Sequence, residues 1–257
     1  MTVLRRTAYV LGLPAALVLL WWALTIGSTS FFVPKPGVLV RTFIEVWDAE
    51  RIRADVVPSL ARLAVGLLAA IGLGIGLGLL IGSSRTLRAL AEPLLEFLRA
   101  IPPPVLVPIL MILVGINNQM KVLVIISGCI WPVLLNTVEG VRAVDEVLSD
   151  TARVYGIHGW SRVSRLTLPH AGPQIMAGIR QSLSLGLILM VISEMFASSS
   201  GLGFTIVQFQ RSFAVPEMWS GIVVLGLIGV FLSFLFQFVE RRVLRWYHGL
   251  READHAE

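Results

Sequence analysis

The chain has 257 residues, of which 56% are hydrophobic and only 14% are charged. Soluble domains carry about 25% charged residues, so this composition excludes an ordinary water-soluble protein. The formal net charge is +5, and the basic residues lie between apolar runs, as in membrane proteins and unlike a nucleic-acid-binding surface. The single cysteine excludes an intrachain disulfide, and the four histidines lack the spacing of a metal site.

Six apolar stretches are each long enough to cross a bilayer as a helix, which predicts an all-α polytopic membrane protein. In chain order they cover residues 8–26, 60–82, 94–116, 122–138, 175–197 and 219–239. We expect three parts: residues 1–58 with the first helix and an external amphipathic segment, a five-helix core over 59–247, and a tail over 248–257.

The N-terminal stretch has an alternative interpretation as a cleaved signal peptide, with Arg5 and Arg6 as its basic region. It is longer than the apolar region of about 7–15 residues that signal peptides contain, so we favour a retained helix. With this helix entering from the inside, most of the basic residues fall in cytoplasmic segments. The positive-inside rule then predicts that both termini are cytoplasmic.

The external segment between the first two spans contains a helical pattern. Pro36 is suited to open a helix, and Leu39, Phe43, Val46 and Trp47 follow at helical spacing. Such a helix either lies on the membrane surface or packs against the bundle as a connector. We favour the connector.

The second span contains small residues four apart, in the pairs Gly72/Gly76, Gly74/Gly78 and Gly78/Gly82. In a membrane helix, this spacing lets a neighbouring backbone approach closely. A dinucleotide-binding fingerprint is the alternative, but no strand precedes these glycines and no acidic ribose ligand follows them. We predict that this face packs on another helix.

The third span is interrupted by Pro102, Pro103, Pro104 and Pro108. Proline removes helical hydrogen bonds and bends a helix. We therefore predict a bend here, either as a static kink or as the hinge of a gate that includes Pro103.

The segment 139–173 is the longest polar stretch between spans. Apolar residues recur at helical spacing from Val144 to Tyr155, and Gly156 follows where a helix would end. A second short helix is predicted over 160–167, and Pro169 should end it because proline disfavours helical geometry in the residue before it.

This segment resembles the "EAA" loop of ABC-importer permeases, in which Glu-Ala-Ala is followed by three residues, Gly, nine residues, Ile, one residue and Leu-Pro. Ala152, Gly156, Leu168 and Pro169 match that pattern in register. The resemblance implies a type I importer fold with a MetI-like core, and a loop that docks on a separate ATPase. The residues that it assigns to coupling are Asp150, Thr151, Ala152, Arg153, Gly156, Leu166, Leu168 and Pro169.

Further segments resemble the nitrate, aliphatic-sulfonate and taurine branch of these permeases: Ser59-Leu60-x-Arg62, 99–103, 136–141 and 200–203. The branch implies a permease of the bacterial inner membrane with three protein partners: an ABC ATPase, an external solute-binding protein and a second permease copy. The chain has no P-loop motif, so ATP and Mg²⁺ would bind the ATPase, and we expect no cofactor, no catalytic activity and no nucleic acid here.

Glu194 is the one acidic residue well inside an apolar run. A carboxylate there is costly unless it faces a cavity or a partner. It either lines the transport pathway or its gate, together with Ser198, Gly201 and Gly203, or makes a structural hydrogen bond that anchors this turn.

The implied cargo is a small sulfonate, taurine or nitrate anion, and a vitamin or vitamin precursor is the alternative. An ion-coupled secondary transporter would show inverted repeats and mid-membrane charges. A membrane-embedded enzyme would need clustered His, Asp or Glu. The sequence shows none of these features.

Overall fold

The computed structural model describes residues 3–28, 30–196 and 198–247, with side chains from residue 12 onward. The predicted tail over 248–257 lies outside the described residues. The described chain consists of helices joined by turns. The helices are α1 (Val3–Thr25), α2 (Pro36–Val46), α3 (Ala49–Ser83), α4 (Arg85–Ala100), α5 (Leu106–Val114), α6 (Asn118–Arg142), α7 (Glu146–Val154), α8 (Gly159–Phe196), α9 (Leu202–Arg211) and α10 (Val215–Val243).

Four of these helices, α3, α6, α8 and α10, are long and apolar enough to cross a membrane. The pair formed by α4 and Pro103–Val114 passes the same test as one bent span. These five match the last five predicted spans, so the all-helical membrane class is confirmed. The first predicted stretch is helical up to Thr25, and its side chains before Gly12 lie outside the described residues.

The third predicted span is not one continuous helix. Helix α4 ends at Ala100, a 3₁₀ turn occupies Pro103–Val105, and the two halves meet at 72°. Pro102 holds Ile101 in an extended conformation (ψ 116°), which stops α4. The predicted bend is confirmed, and it is sharp enough to divide the span.

The core lies among α3, α6 and α8, and α6 packs along both of the other two. Its largest buried side chains include Ile125 from α6 and Met190 from α8, which contribute to the same apolar cluster as Leu63 of α3. Because α6 and α8 pack side by side, the end of α6 lies near the start of α8, and the start of α6 lies near the end of α8. The "loop end" of the bundle carries residues 139–173, and the "network end" carries Ser59, Arg62 and Glu194.

The glycine prediction is right for two of the three pairs. A Cβ added at Gly74, Gly78 or Gly82 would collide with α6, so this face does pack against a neighbouring helix. Gly72 and Gly76 have no other atoms within 4 Å of an added Cβ. The Gly72/Gly76 pair lies on a different face of α3, and for that pair the prediction is wrong.

Helix α2 is a connector packed on the bundle, as we favoured. It begins at Pro36, and Leu39 is buried. Trp47 directly after it is also buried, and its indole Nε1 donates to Ser220 Oγ of α10 at 2.9 Å.

Two long helices contain a widened π-helical turn, at Ile52–Val56 in α3 and at Val163–Thr167 in α8. Each turn is followed at the second position by a proline, Pro58 or Pro169. In a regular α-helix, the proline ring clashes with the carbonyl four residues earlier, and a wider turn relieves that clash. Our prediction that Pro169 ends a separate short helix is therefore wrong, because α8 continues through it.

Candidate functional site

The carboxylate of Glu194 lies at the network end and is fully enclosed, with 0% of the residue exposed. Its Oε1 accepts from Arg62 Nη1 at 2.6 Å and from Ser59 Oγ at 2.7 Å. Its Oε2 accepts from the backbone N–H of Gly203 at 3.0 Å. A buried carboxylate is stable only with such partners, because its desolvation must be offset.

Arg62 connects this carboxylate to the neighbouring elements. Its Nε donates to Asn118 Oδ1 at 2.9 Å, and its Nη2 donates to Ser200 Oγ at 3.1 Å. Lys121 Nζ donates to Ser198 Oγ at 2.7 Å beside them. We call this set the polar cluster: Ser59, Arg62, Asn118, Lys121, Glu194, Ser198 and Ser200.

Two glycines that follow Glu194 are required for steric reasons. Gly201 has φ +119°, and a Cβ there would come within 2.5 Å of the Glu194 carboxyl carbon. A Cβ at Gly203 would meet the backbone oxygen of Val191. Both positions therefore need glycine for the chain to close over the carboxylate.

The structure thus brings together four of the predicted pathway residues, namely Glu194, Ser198, Gly201 and Gly203. It places the fifth, Pro103, elsewhere. The sequence had not identified Arg62 as the partner of Glu194, although both lie in apolar runs, and two opposite charges in such runs are a signal for pairing.

Pro103 lines a cavity of about 480 Å³ between the α4–α5 bend, α6 and α8. Its apolar part is formed by Pro103, Pro104, Leu185, Ile188 and Leu189. Gly128 of α6 also lines the cavity. Its lack of a side chain allows Leu189 and Pro103 to approach, because a Cβ there would collide with both. The proline bend therefore shapes the cavity.

The polar part of this cavity contains Arg99, Asn136 and Gln181. Counted along α6 at about 1.5 Å per residue, Asn136 lies roughly 9 Å from the end of that helix at Arg142. Arg99 forms an ion pair with Glu96 one turn earlier on α4. We had not predicted these polar residues as a site, because they lie on three different helices.

The loop end carries α7, whose boundaries are fixed by hydrogen bonds. Asp145 caps its start, accepting from the N–H groups of Val147 and Leu148 at 2.7 and 3.1 Å. Gly156, with φ +68°, ends it in a Schellman motif, in which Ile157 N–H bonds to Ala152 O at 2.8 Å. The predicted helix end at Gly156 is confirmed.

The predicted coupling residues divide into two groups. Those on α7 and at its end, except for buried Ala152, are exposed to solvent: Asp150, Thr151, Arg153 and Gly156. Those at the start of the fifth span are half-buried: Leu166, Leu168 and Pro169. Leu168 packs against a buried cluster that includes Ala171 and Ile175, so this group fastens the loop to the bundle.

The loop exposes a set of large apolar side chains. Val154, Tyr155 and Trp160 are 85%, 78% and 77% exposed. Val154 and Tyr155 lie outside the candidate spans, and Trp160 is the second residue of α8. Exposed apolar patches mark interaction sites. Tyr155 and Trp160 belong to the predicted apolar stripes, whereas Val154 does not.

Among the described residues there is no group of three or more His, Cys, Asp or Glu that would hold a metal ion.

A model of the family described as "binding-protein-dependent transport system inner membrane component" matches residues 70–246. SsuC of Bacillus subtilis (strain 168), named for aliphatic sulfonates transport, is 31% identical over 94% of this chain and 89% of its own. The taurine transport system permease protein TauC of Escherichia coli (strain K12) is 28% identical over 95% and 91%.

The bicarbonate transport system permease protein CmpB of Synechococcus elongatus is 32% identical over 74% of this chain and 68% of its own. A chain from inward-facing MetNI, a methionine ABC transporter, shares the fold with a TM-score of 0.64 at 20% identity. It covers 75% of this chain and 95% of its own.

Proposed function

The chain belongs to the binding-protein-dependent transport system inner membrane components, the permeases of ABC importers, and we propose that it imports a small anion. Relatives of similar length are named for aliphatic sulfonates and taurine, and one shorter match is named for bicarbonate. Each of these solutes carries an anionic group. We also propose that a separate ATPase drives the transport and that an external solute-binding protein delivers the cargo.

The observation that carries the ATPase proposal is the exposed apolar patch on the loop at Val154, Tyr155 and Trp160. A permease with no P-loop needs a mechanical contact with the protein that hydrolyses ATP. A partner that covered this patch would remove its apolar side chains from water, and such buried apolar contacts dominate the affinity of protein interfaces. We propose that the predicted coupling residues, from Asp150 to Pro169, belong to this ATPase contact.

Movement of the loop would be transmitted through α8. Arg162 Nη2 donates to Ser149 Oγ at 2.6 Å and thereby joins α7 to the start of α8. His170 Nε2 lies 2.9 Å from Ala143 O and joins the two ends of the loop. Since α8 continues from Gly159 to Phe196, a rigid-body displacement at the loop end reaches the polar cluster at the network end.

We propose that the loop end is cytoplasmic and the network end external. A polar groove at the loop end is lined by several arginines, including Arg85, Arg88 and Arg142, which agrees with the positive-inside rule. Two copies of the chain would form the pathway, because the cavity at the α4–α5 bend is only partly enclosed by one copy.

Reconstitution with a partner ATPase and binding protein tests this function. Vesicles should accumulate labelled taurine or ethanesulfonate with ATP, and uptake should fall to background when the catalytic glutamate of the ATPase is replaced. Uptake that persists with the inactive ATPase would refute an ATP-driven permease. Gly156→Pro should separate ATP hydrolysis from uptake, because proline cannot adopt φ +68°, whereas Gly156→Asn should retain coupling.

A further inference from the structure

We propose that the polar part of the 480 Å³ cavity is a binding subsite for the anionic group of the cargo, where Arg99 exchanges Glu96 for that anion. The inference rests on the proposed import function and adds a site and a cargo class to it. The class is a short organic oxyanion with a small apolar body, such as an alkanesulfonate.

The charge of the cavity favours an anion. Arg99 is the one formally charged residue among those that line it, and no acidic side chain lines it within the part of the chain that the structure describes. A guanidinium donates two parallel hydrogen bonds to an oxyanion, which suits sulfonate or carboxylate oxygens. Arg99 is therefore the group that we expect to meet the cargo.

The ion pair between Arg99 and Glu96 is suited to exchange. Both side chains are about half exposed, at 48% and 56%, and they lie one turn apart on α4. Exposed pairs of this kind contribute little to stability, so a cargo anion can replace the glutamate at low cost. Glu96 itself does not line the cavity, and it would act as a competitor that releases Arg99.

Neutral donors complete the polar part. Gln181 and Trp131 both line the cavity, and neither the side-chain amide of Gln181 nor the indole N–H of Trp131 has a hydrogen-bond partner among the described residues. Asn136 uses one amide hydrogen for Pro132 O at 2.8 Å, which leaves its other amide hydrogen available. These groups are placed to bind the remaining oxygens of a sulfonate.

The apolar part indicates that the anion is organic. Pro103, Leu185 and Ile188 form a wall next to the polar groups. A bare inorganic ion would leave most of this volume unfilled, whereas a short alkyl chain would cover the apolar wall and gain its burial. We therefore expect an alkanesulfonate to be preferred over nitrate.

Uptake by the complete transporter is the first test, with ethanesulfonate and nitrate as the cargo probes. Arg99→Gln should lower the maximal ethanesulfonate uptake rate at least tenfold, while Glu96→Gln should keep or raise it. Arg41→Gln is the matched control, because Arg41 also forms an exposed ion pair with a glutamate on its own helix, Glu45, and does not line the cavity. If the wild type transports ethanesulfonate and Arg99→Gln does so equally well, the subsite is wrong; if the wild type transports none of ethanesulfonate, nitrate and taurine, the proposed function fails instead.

Thiol labelling gives a second readout that needs no transport. In a Gln181→Cys variant, we compare the rate of modification by an ethanesulfonate-bearing methanethiosulfonate with that of a trimethylammonium-bearing one. The native Cys129 is fully buried and provides the background. Adding Arg99→Gln should lower the anion-to-cation rate ratio at least fivefold, whereas adding Arg41→Gln should leave it unchanged; equal ratios in all three proteins would overturn the proposal.

Discussion

The residues around Glu194 at the network end are explained by the burial of its carboxylate, which requires hydrogen-bond donors and space. Glu194 is enclosed, and Arg62 and Ser59 supply the donors that keep its carboxylate stable. Gly201 and Gly203 permit the following turn to close over it. Since the carboxylate is fully enclosed, accepts hydrogen bonds from protein groups and lines none of the cavities described above, we propose that its role is structural.

Glu194→Gln tests this assignment. The substitution leaves the Arg62 guanidinium buried without its counter-charge, and breaking a buried ion pair in this way costs about 3–5 kcal/mol. We expect a clearly lower thermal unfolding temperature for the detergent-purified permease. Glu45→Gln is the control, because its ion pair with Arg41 is exposed and screened by solvent, so its loss should leave the unfolding temperature nearly unchanged.

The outcome separates the two roles of Glu194. A variant with normal thermal stability and impaired uptake would show that the carboxylate acts in the pathway and not in the fold. Loss of both properties to the same degree supports the structural assignment.

At the scale of helices, hydrophobic length predicted where the spans lie, because a backbone in lipid must form helices. It did not predict how helices continue or break. Pro169 was expected to end a helix, yet the widened turn at Val163–Thr167 accommodates it. The run 94–116 was expected to bend at its prolines and does so, but its apolar length did not indicate that the bend would reach 72°. These outcomes depend on how the backbone hydrogen bonds rearrange around a proline, and the length of an apolar run carries no information about that.

The glycine face of α3 gives a prediction with an internal control. A Cβ at Gly78 would lie 2.5 Å from Thr137 Cβ and 3.0 Å from Leu134 O, so Gly78→Ala forces α3 and α6 apart. Overpacking of this kind costs about 1–3 kcal/mol. Gly76→Ala, two positions away on the same helix, meets no atoms within 4 Å and should be neutral or stabilising by up to about 1 kcal/mol.

Thermal unfolding of both variants in the same detergent measures the difference. Equal unfolding temperatures for Gly78→Ala and Gly76→Ala would contradict the close packing of α3 on α6.

At the scale of the whole molecule, the fold joins a loop at one end to a polar cluster at the other through one long helix, α8 (Gly159–Phe196). The short helix α7 and its end at Gly156 were predictable because their pattern is local in sequence. The partner of Glu194 was not, since Arg62 lies 132 positions away. The cavity at the bend was also not predicted, because Arg99, Asn136 and Gln181 meet only after three helices have packed.

The exposed loop patch gives a test at this scale that is independent of cargo. Val154 is 85% exposed, so Val154→Asp should change the free energy of unfolding of the permease by no more than about 0.5 kcal/mol. If this side chain is covered by the ATPase, burying a carboxylate at the interface should weaken the affinity of the permease for the ATPase at least tenfold, which corresponds to about 1.4 kcal/mol. Surface-immobilised permease titrated with ATPase measures this affinity.

Phe213→Asp is the control for that measurement. Phe213 is 69% exposed at the opposite end of the bundle, and its φ of +56° is one that aspartate tolerates. Because only the loop end contacts the ATPase in this arrangement, Phe213→Asp should bind the ATPase as the wild type does. Equal affinities for Val154→Asp and Phe213→Asp would mean that the ATPase contacts another surface, and force would then have to enter the permease by a route other than α7 and α8.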